Sequence, residues 1–227
     1  MQLYIEIRAG EGGDDAKIFV QDLAKSYIKL AQKSGWIATW IQNVPGLTIV
    51  KFTGDDLSGL YNEAGGHRIQ RIPPTEKKGR THTSTVTVAV LEKNPIVNCS
   101  FNEKDCEINW FSGTGPGGQN RNKVMASCRI RHIPSGLTAT AQTRSRKTSL
   151  QQAISDLKKR LDHSTQTSNH YAENSIRKNQ VGSGQRSDKI RTIQFQNNRA
   201  VDHKTGKKCT AQQYMQGGMY LLWPETK

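Results

Sequence analysis

The stretch Ser112-Gly-Thr-Gly-Pro-Gly-Gly-Gln-Asn-Arg-Asn122 places four glycines in the seven positions from Gly113 to Gln119. It holds no core-forming side chain, so it is a loop. Successive glycines let backbone N–H groups approach a reacting centre closely and adopt angles closed to other residues. An N–H held in this way stabilises negative charge developing on oxygen during acyl transfer. Gln119 cannot serve as a general base at neutral pH, but its amide can position water or fill space. Two other readings stand beside this one. A phosphate cradle would follow a strand, as this loop does, yet no GK[ST] is present and an amide occupies position 119. A plain linker fits the composition but not the basic strip that flanks it. The loop alone makes a poor enzyme, so whatever it touches must supply the remaining groups.

That strip runs from Ser112 to Arg160, with ten basic residues and one acid, Asp156. The whole chain of 227 residues carries 33 Lys and Arg against 19 Asp and Glu, a net charge of +14. Residues 1–100 hold 12 basic and 10 acidic side chains, and residues 101–227 hold 21 and 9, so the excess lies in the second half. A surplus concentrated in this way marks a surface that meets polyphosphate. The mean hydropathy of −0.70 is low, but periodic apolar segments remain and argue for a folded, polar protein. Cys99, Cys106, Cys128 and Cys209 form no CxxC pair, so no metal is expected and the thiols are read as reduced. No cofactor is expected either. The N-terminus has neither a signal-peptide core nor an Arg- and Ser-rich presequence, and no apolar run approaches about 18 residues, which predicts a soluble, cytoplasmic protein with no membrane partner.

The elements that must hold the loop follow from periodicity. "LYIEIRA" alternates as a half-buried strand does, and a helix is predicted over 14–34 with Ile18, Leu23, Tyr27 and Leu30 on one face. "WIATWIQ" and "LTIVKF" read as strands about the Pro45-Gly46 turn. A short helical piece follows, then "GGHRIQRI" and "THTSTVTVAVL", whose Val86, Val88 and Val90 share a face. A linker is predicted over 94–104. Beyond it come the strand "CEINWF", the glycine loop, strands around 128–133 and 137–142, and a polar helix over 148–178 with Leu150, Ile154, Leu157 and Leu161 as its apolar stripe. The tail holds the strand "IRTIQF", the turn "DHKTG" and a short helix over 210–216. At about 45 residues it is too small to fold alone and is predicted to dock on the first unit.

"GPGGQN" resembles the GGQ loop of class I peptide-chain release factors of the bacterial type. "EIRAGEGGDDAKIF", "EAGGHRIQRIPPTEKKGRTHTSTVTVAV", "IRHIPSGL" and "GSGQRSDKIRT...DHKTG" agree with that family in order, so the match covers nearly the whole chain. In the family a Pro-x-Thr tripeptide marks readers of UAA and UAG, and Pro73-Pro74-Thr75 is of that kind. The resemblance implies that Thr75 hydrogen-bonds the first two bases and that the backbone near Gly12 and Asp15 meets the first uridine. It further implies that His82 stacks between the second and third bases, and that Gln70 and Thr83 accept either purine at the third. Reading bases by hydrogen bonds to their edges and by stacking suits a single strand. Gly117, Gly118 and Gln119 become the catalytic loop, with Gln119 also the site on which a glutamine methyltransferase would act. The family usually has His-Val-Asn after the glutamine, where this chain has Asn120-Arg121-Asn122. The chain starts at the strand before "RAG", which predicts that the family's N-terminal helical domain is missing.

The expected architecture is α+β: a codon-reading α/β layer unit over 1–93, completed by the tail 182–227, with an inserted GGQ domain of small sheet and long helix over 105–178. "NQVGSGQRSDKIR" is expected to be a hinge, which prolines at Gly182 and Gly184 would stiffen. The implied partners are ribosomal RNA, an mRNA stop codon and P-site peptidyl-tRNA, met by a monomer. Arg121, Lys123, Arg129, Arg131, Arg144, Arg146 and Lys147 are the candidates for contacts with ribosomal and transfer RNA phosphates. A codon-independent rescue factor that hydrolyses peptidyl-tRNA on stalled ribosomes and a basic RNA-binding module without hydrolytic role are the competing functions.

Overall fold

A computed structural model of the chain describes residues 1–92, 101–115, 118–182 and 184–225, apart from the side chains of Asn120 and Arg121. Its contacts divide the chain into two compact units, 1–93 with 173–227, and 94–172.

The first unit is built on β1 (Gln2–Ala9), α1 (Gly13–Ser34), β2 (Ile37–Val44), β3 (Leu47–Thr53), β4 (Gly65–Arg71) and β5 (His82–Glu92). The second holds β6 (Cys106–Phe111), α2 (Gln119–Lys123), β7 (Ser127–His132), β8 (Thr138–Ala141) and most of α3 (Arg146–Val181). The tail adds β9 (Arg191–Gln194), β10 (Arg199–Asp202), β11 (Lys208–Cys209) and α4 (Ala211–Met215) to the first unit.

Eight strands of the first unit form one sheet in the order β11-β10-β9-β4-β5-β1-β3-β2. Every neighbouring pair is antiparallel except β4 and β9, which run parallel with Gln70 beside Gln194. Strand side chains alternate between faces, and β1 and β5 turn Leu3, Ile5, Ile7, Val86, Val88 and Val90 into the core. α1 covers that face with Ala16, Phe19, Val20, Leu23, Ala24, Tyr27, Leu30 and Ala31, all buried. Ile18, expected on the buried stripe, is only half-buried. Phe19 and Val20 take its place, because the larger ring and the branched chain lie on the arc that meets the sheet. Gly35 ends α1 in the left-handed region at φ 72° and donates its N–H to Ala31 O.

The tail is fixed by a buried polar knot. Glu63 is fully buried, and its Oε1 accepts from Arg191 (2.6 Å) and from Trp223 Nε1 (2.7 Å). Its Oε2 accepts from Tyr214 (2.7 Å) and Tyr27 (3.2 Å) and lies 3.3 Å from His67 Nε2. Arg191 also pairs with Asp202. A buried carboxylate survives when its lone pairs are taken up and a cation stands beside it. Burial alone would raise the Glu63 pKa. The Arg191 charge and the His67 contact win and hold it below the usual carboxylate range.

The stretch expected to be a hinge belongs to the first unit, and its Ser183 lies outside the described residues. α3 runs on to Val181, and Ile190 donates its N–H to Gly66 O at 2.8 Å. Gly182 and Gly184 adopt φ values of 63° and 68°, which proline cannot reach. Prolines there would break the segment rather than stiffen it. β4 begins at Gly65 opposite Val88, and further along β5 the Gln180 amide donates to Val90 O and accepts from Val90 N–H, each at 2.8 Å. A single side chain in the last turn of α3 thus takes up both backbone groups of Val90.

In the second unit, β6-β7-β8 form a small antiparallel sheet. Cys128 and Ile130 from β7 and Ala139 and Ala141 from β8 meet Ala153, Leu157 and Leu161 of α3, with Leu150 and Ile154 partly buried at the edge. Among the described residues no helix is long and apolar enough to cross a membrane.

Candidate functional site

The sequence candidates of the first unit meet where α1 begins and where β4 and β5 join. Gly12 precedes α1 at φ 131°, and a Cβ there would stand 2.5 Å from Ser84 Oγ and 2.8 Å from Ser84 Cα, so only glycine fits. Gly10 donates its N–H to Thr85 O (2.9 Å) and Thr85 donates its own to Glu11 O (2.6 Å). The loop before α1 is thus zipped to the start of β5. The first N–H groups of a helix have no partner within it, which leaves donors at this point of the surface. The Asp15 side chain is buried, accepting from Arg71 Nε and from Ser84 Oγ at 2.8 Å each. It is consumed internally, which leaves backbone for any outside contact.

Pro73-Pro74-Thr75-Glu76 is a tight turn closed by Glu76 N–H donating to Pro73 O at 3.0 Å. Pro73 is buried and Thr75 projects outward from the turn. Glu76 was not a sequence candidate, yet it organises the segment. Its Oε1 accepts from Lys78 N–H (2.7 Å), and its Oε2 accepts from Arg80 Nε (3.2 Å) and lies 2.8 Å from His82 Nε2. The Glu76 side chain is 5% exposed while that of His82 is 43% exposed, so a shielded carboxylate anchors an accessible ring. The Lys78 N–H, followed by His82 and Arg80, draws the Glu76 pKa below its ordinary value against the effect of burial.

Strand alternation then divides the candidates between two faces. Arg71 stands opposite His82 and Gln70 opposite Thr83. Arg71 belongs to the α1 side, bonded to Asp15 and Asp22 and placed over the Phe19 and Phe195 rings at 5.3 and 5.9 Å. Gln70 and Thr83 lie on the other side. There Gln194 of β9, a residue with no distinguishing sequence signal, donates from Nε2 to Gln70 Oε1 at 2.6 Å. His82 and Thr83, adjacent in sequence, therefore address opposite faces of the same strand end.

In the second unit, Gly117 and the Arg121 side chain lie outside the described residues. Gly118 and Gln119 are exposed. Where a loop was expected to run on to the next strand, Gln119 opens the single-turn helix α2, and its side chain accepts from Lys123 Nζ at 3.4 Å. A Cβ at Gly118 would meet nothing within 4 Å, and its φ lies outside the left-handed region. Among the described residues, nothing in the packing requires a glycine there.

Arg129 and Arg131 point outward from β7 while Cys128 and Ile130 point into the core. Arg129 lies over the Phe111 ring at 5.7 Å, and Arg146 over Trp110 at 5.1 Å with Nε donating to Met125 O at 2.8 Å. Arg144, Arg146 and Lys147 are exposed at the start of α3, which has no acid in its first turn. Cations at a helix N-terminus oppose its dipole, so this end of α3 is electropositive from both sources. Among the described residues no group of three or more His, Cys, Asp or Glu could hold a metal ion.

Known proteins match the chain in two successive domains. A PCRF domain matches residues 1–88 and an RF-1 domain residues 95–204. Peptide chain release factor 1 of a Nitratiruptor species is 39% identical over 212 residues, which make up 90% of this chain and 60% of that protein. Its counterpart in Helicobacter hepaticus is 39% identical over 227 residues, covering 96% of this chain and 64% of its own length. The chain thus spans about three fifths of the curated relatives it matches. RF2 of Thermus thermophilus superposes with a TM-score of 0.56 at 26% identity, over 96% of this chain and 65% of that one. Over nearly its whole length, then, the chain is similar in order to the PCRF and RF-1 domains, and the relatives it matches are peptide chain release factors.

Proposed function

We propose that the protein terminates translation by reading UAA or UAG in the ribosomal A site and promoting hydrolysis of the P-site peptidyl-tRNA. The observation that carries the codon-reading part is the convergence of three chain segments at one end of the first unit: the start of α1, the Pro73–Glu76 turn, and the paired ends of β4 and β5. In this reading Thr75 hydrogen-bonds the first two bases, and the backbone about Gly12 and Asp15 meets the first uridine. His82 stacks between the second and third bases from one face, and Gln70 and Thr83 take the third base from the other. Single-stranded bases are read in this manner by edge hydrogen bonds and flat stacking surfaces.

Gly117, Gly118 and Gln119 enter the peptidyl transferase centre. Water attacks the ester carbonyl, the acyl–oxygen bond to the ribose breaks, and the ribose oxygen leaves with a proton. The Gln119 N–H stabilises the developing oxyanion and the leaving oxygen, which is consistent with its place at a helix start, where an N–H has no internal partner. The side chain orders the site and excludes other nucleophiles, and RNA supplies the other groups. Room at Gly118 for a side chain within the chain itself supports a requirement imposed from outside, by close approach to the reacting ester. Lys123, Arg129, Arg131, Arg144, Arg146 and Lys147, with Arg121, hold RNA phosphates. Gln119 is exposed, as a substrate of a glutamine methyltransferase must be.

The test is peptide release from ribosomes displaying UAA, UAG, UGA, a sense codon or no A-site codon. Release confined to UAA and UAG is expected, with Gly118→Val about a hundredfold slower and Gln119→Ala also slowed, while both still bind. Equal release on every A site would assign the protein to codon-independent rescue. Wild-type rates in both variants would remove the loop from the chemistry.

A further inference from the structure

Across β9, β4 and β5 the registers set Gln194, Gln70 and Thr83 in one row on the sheet face opposite α1. Each is partly exposed. The Gln194 Nε2 group donates to Gln70 Oε1 at 2.6 Å, which leaves the Gln70 NH2 as the end free to face outward. A primary amide is a donor at one end and an acceptor at the other, and its final torsion is broad and two-fold. Two touching amides therefore have a second arrangement with the same number of hydrogen bonds. Each turns by half a rotation, Gln70 donates to Gln194 Oε1, and the Gln70 carbonyl faces outward.

These two arrangements match the two purines. On its N7 edge guanine offers the O6 and N7 acceptors, whereas adenine offers N7 and the N6 amino donor. An outward NH2 suits guanine, and an outward carbonyl suits adenine. We propose that Gln194 is a specificity-determining residue: it turns together with Gln70, so that either purine is met at the third codon position without leaving an amide group unpaired. This rests on the codon-reading function proposed above and adds to it the residue that makes the purine tolerance possible. Gln194 reaches this row only through the parallel β4–β9 pairing, 124 residues from Gln70.

Partners that can only accept or only donate freeze the pair. Gln194→Glu accepts only, so it holds the Gln70 NH2 inward and turns the carbonyl out, which favours UAA. Gln194→Lys donates only, so it holds the carbonyl inward and turns the NH2 out, which favours UAG. The experiment measures kcat/KM for peptide release on UAA and on UAG ribosomes with the full chain and each variant. The UAA:UAG ratio cancels any general change in RNA affinity. Relative to wild type it is expected to rise about tenfold for Gln194→Glu and to fall about tenfold for Gln194→Lys, the size of one unsatisfied hydrogen bond. An unchanged ratio in both variants, or shifts in the same direction, would overturn the proposal. Thermal unfolding identifies a variant that fails to fold, and the sign of the other then decides. A wild-type protein that releases equally on UGA or on sense codons would instead sink the codon-reading function itself, so the two failures are distinguishable.

Discussion

Glu63 and Gln119 stand at opposite extremes of what a polar side chain can do. Glu63 has no exposure and partners on every side, and its work is internal. Replacing it by Gln leaves the Arg191 charge with Asp202 alone, and breaking a buried pair of this kind costs about 3–5 kcal/mol. Because its folded pKa is depressed below the ordinary value of 4.5, Glu63 stabilises the fold at and above that pH. The stabilisation is lost as pH falls from there towards the folded pKa. Urea unfolding from pH 7 down to pH 3 should show a steep acid loss in the wild type, and a Glu63→Gln protein that is weaker at pH 7 and flatter below pH 5. Equal slopes would show that Glu63 does not drive the acid loss. At this scale the sequence was partly legible. Glu63, His67 and Arg191 lie inside stretches that resemble the family, but nothing in their spacing joined them. Gln194 left no sign at all, since its partner is chosen by strand register and not by residue type.

Among the elements, strands and long helices were readable because alternation and the 3.6-residue period are written directly into residue order. Faces and short helices were less so. The period of α1 was found but its buried arc was misplaced by one residue at Ile18, where Phe19 and Val20 carry the packing. α2 escaped notice because a single turn after a glycine loop has no period to detect. The segment after α3 shows the same limit in another form. Its glycines alone did not show which angles they adopt: Gly182 is left-handed at φ 63°, with the place of a Cβ 2.0 Å from Asp188 Oδ2. Gly182→Ala should therefore lower stability by about 1–3 kcal/mol, read as a drop in the unfolding midpoint. No drop would mean that the segment relaxes freely.

For the whole molecule, charge and chemistry are separated between two units. The residues proposed to read bases belong to the first, and the glycine loop with the whole basic strip belongs to the second. Binding to a polyphosphate surface should follow counterion release, so the logarithm of the ribosome dissociation constant should rise linearly with the logarithm of salt concentration. Changing Arg144, Arg146 and Lys147 to Gln should reduce that slope by about 0.7–0.9 for each phosphate contact removed, while the UAA:UAG ratio stays put. A slope left intact would take those three residues out of the RNA interface. The division into two units also bears on synthesis. β4 is flanked by β5 soon after it is made, but its other edge waits for Arg191–Gln194, and Glu63 waits for Arg191, Tyr214 and Trp223. A chain interrupted before residue 191 would carry the residues proposed to read the codon in its sequence but on an unfinished sheet, with a raw strand edge and a Glu63 carboxylate without its Arg191 partner. On the proposed function, the order of folding delays activity: the residues proposed to read the codon sit in a completed sheet only after translation has run through the tail.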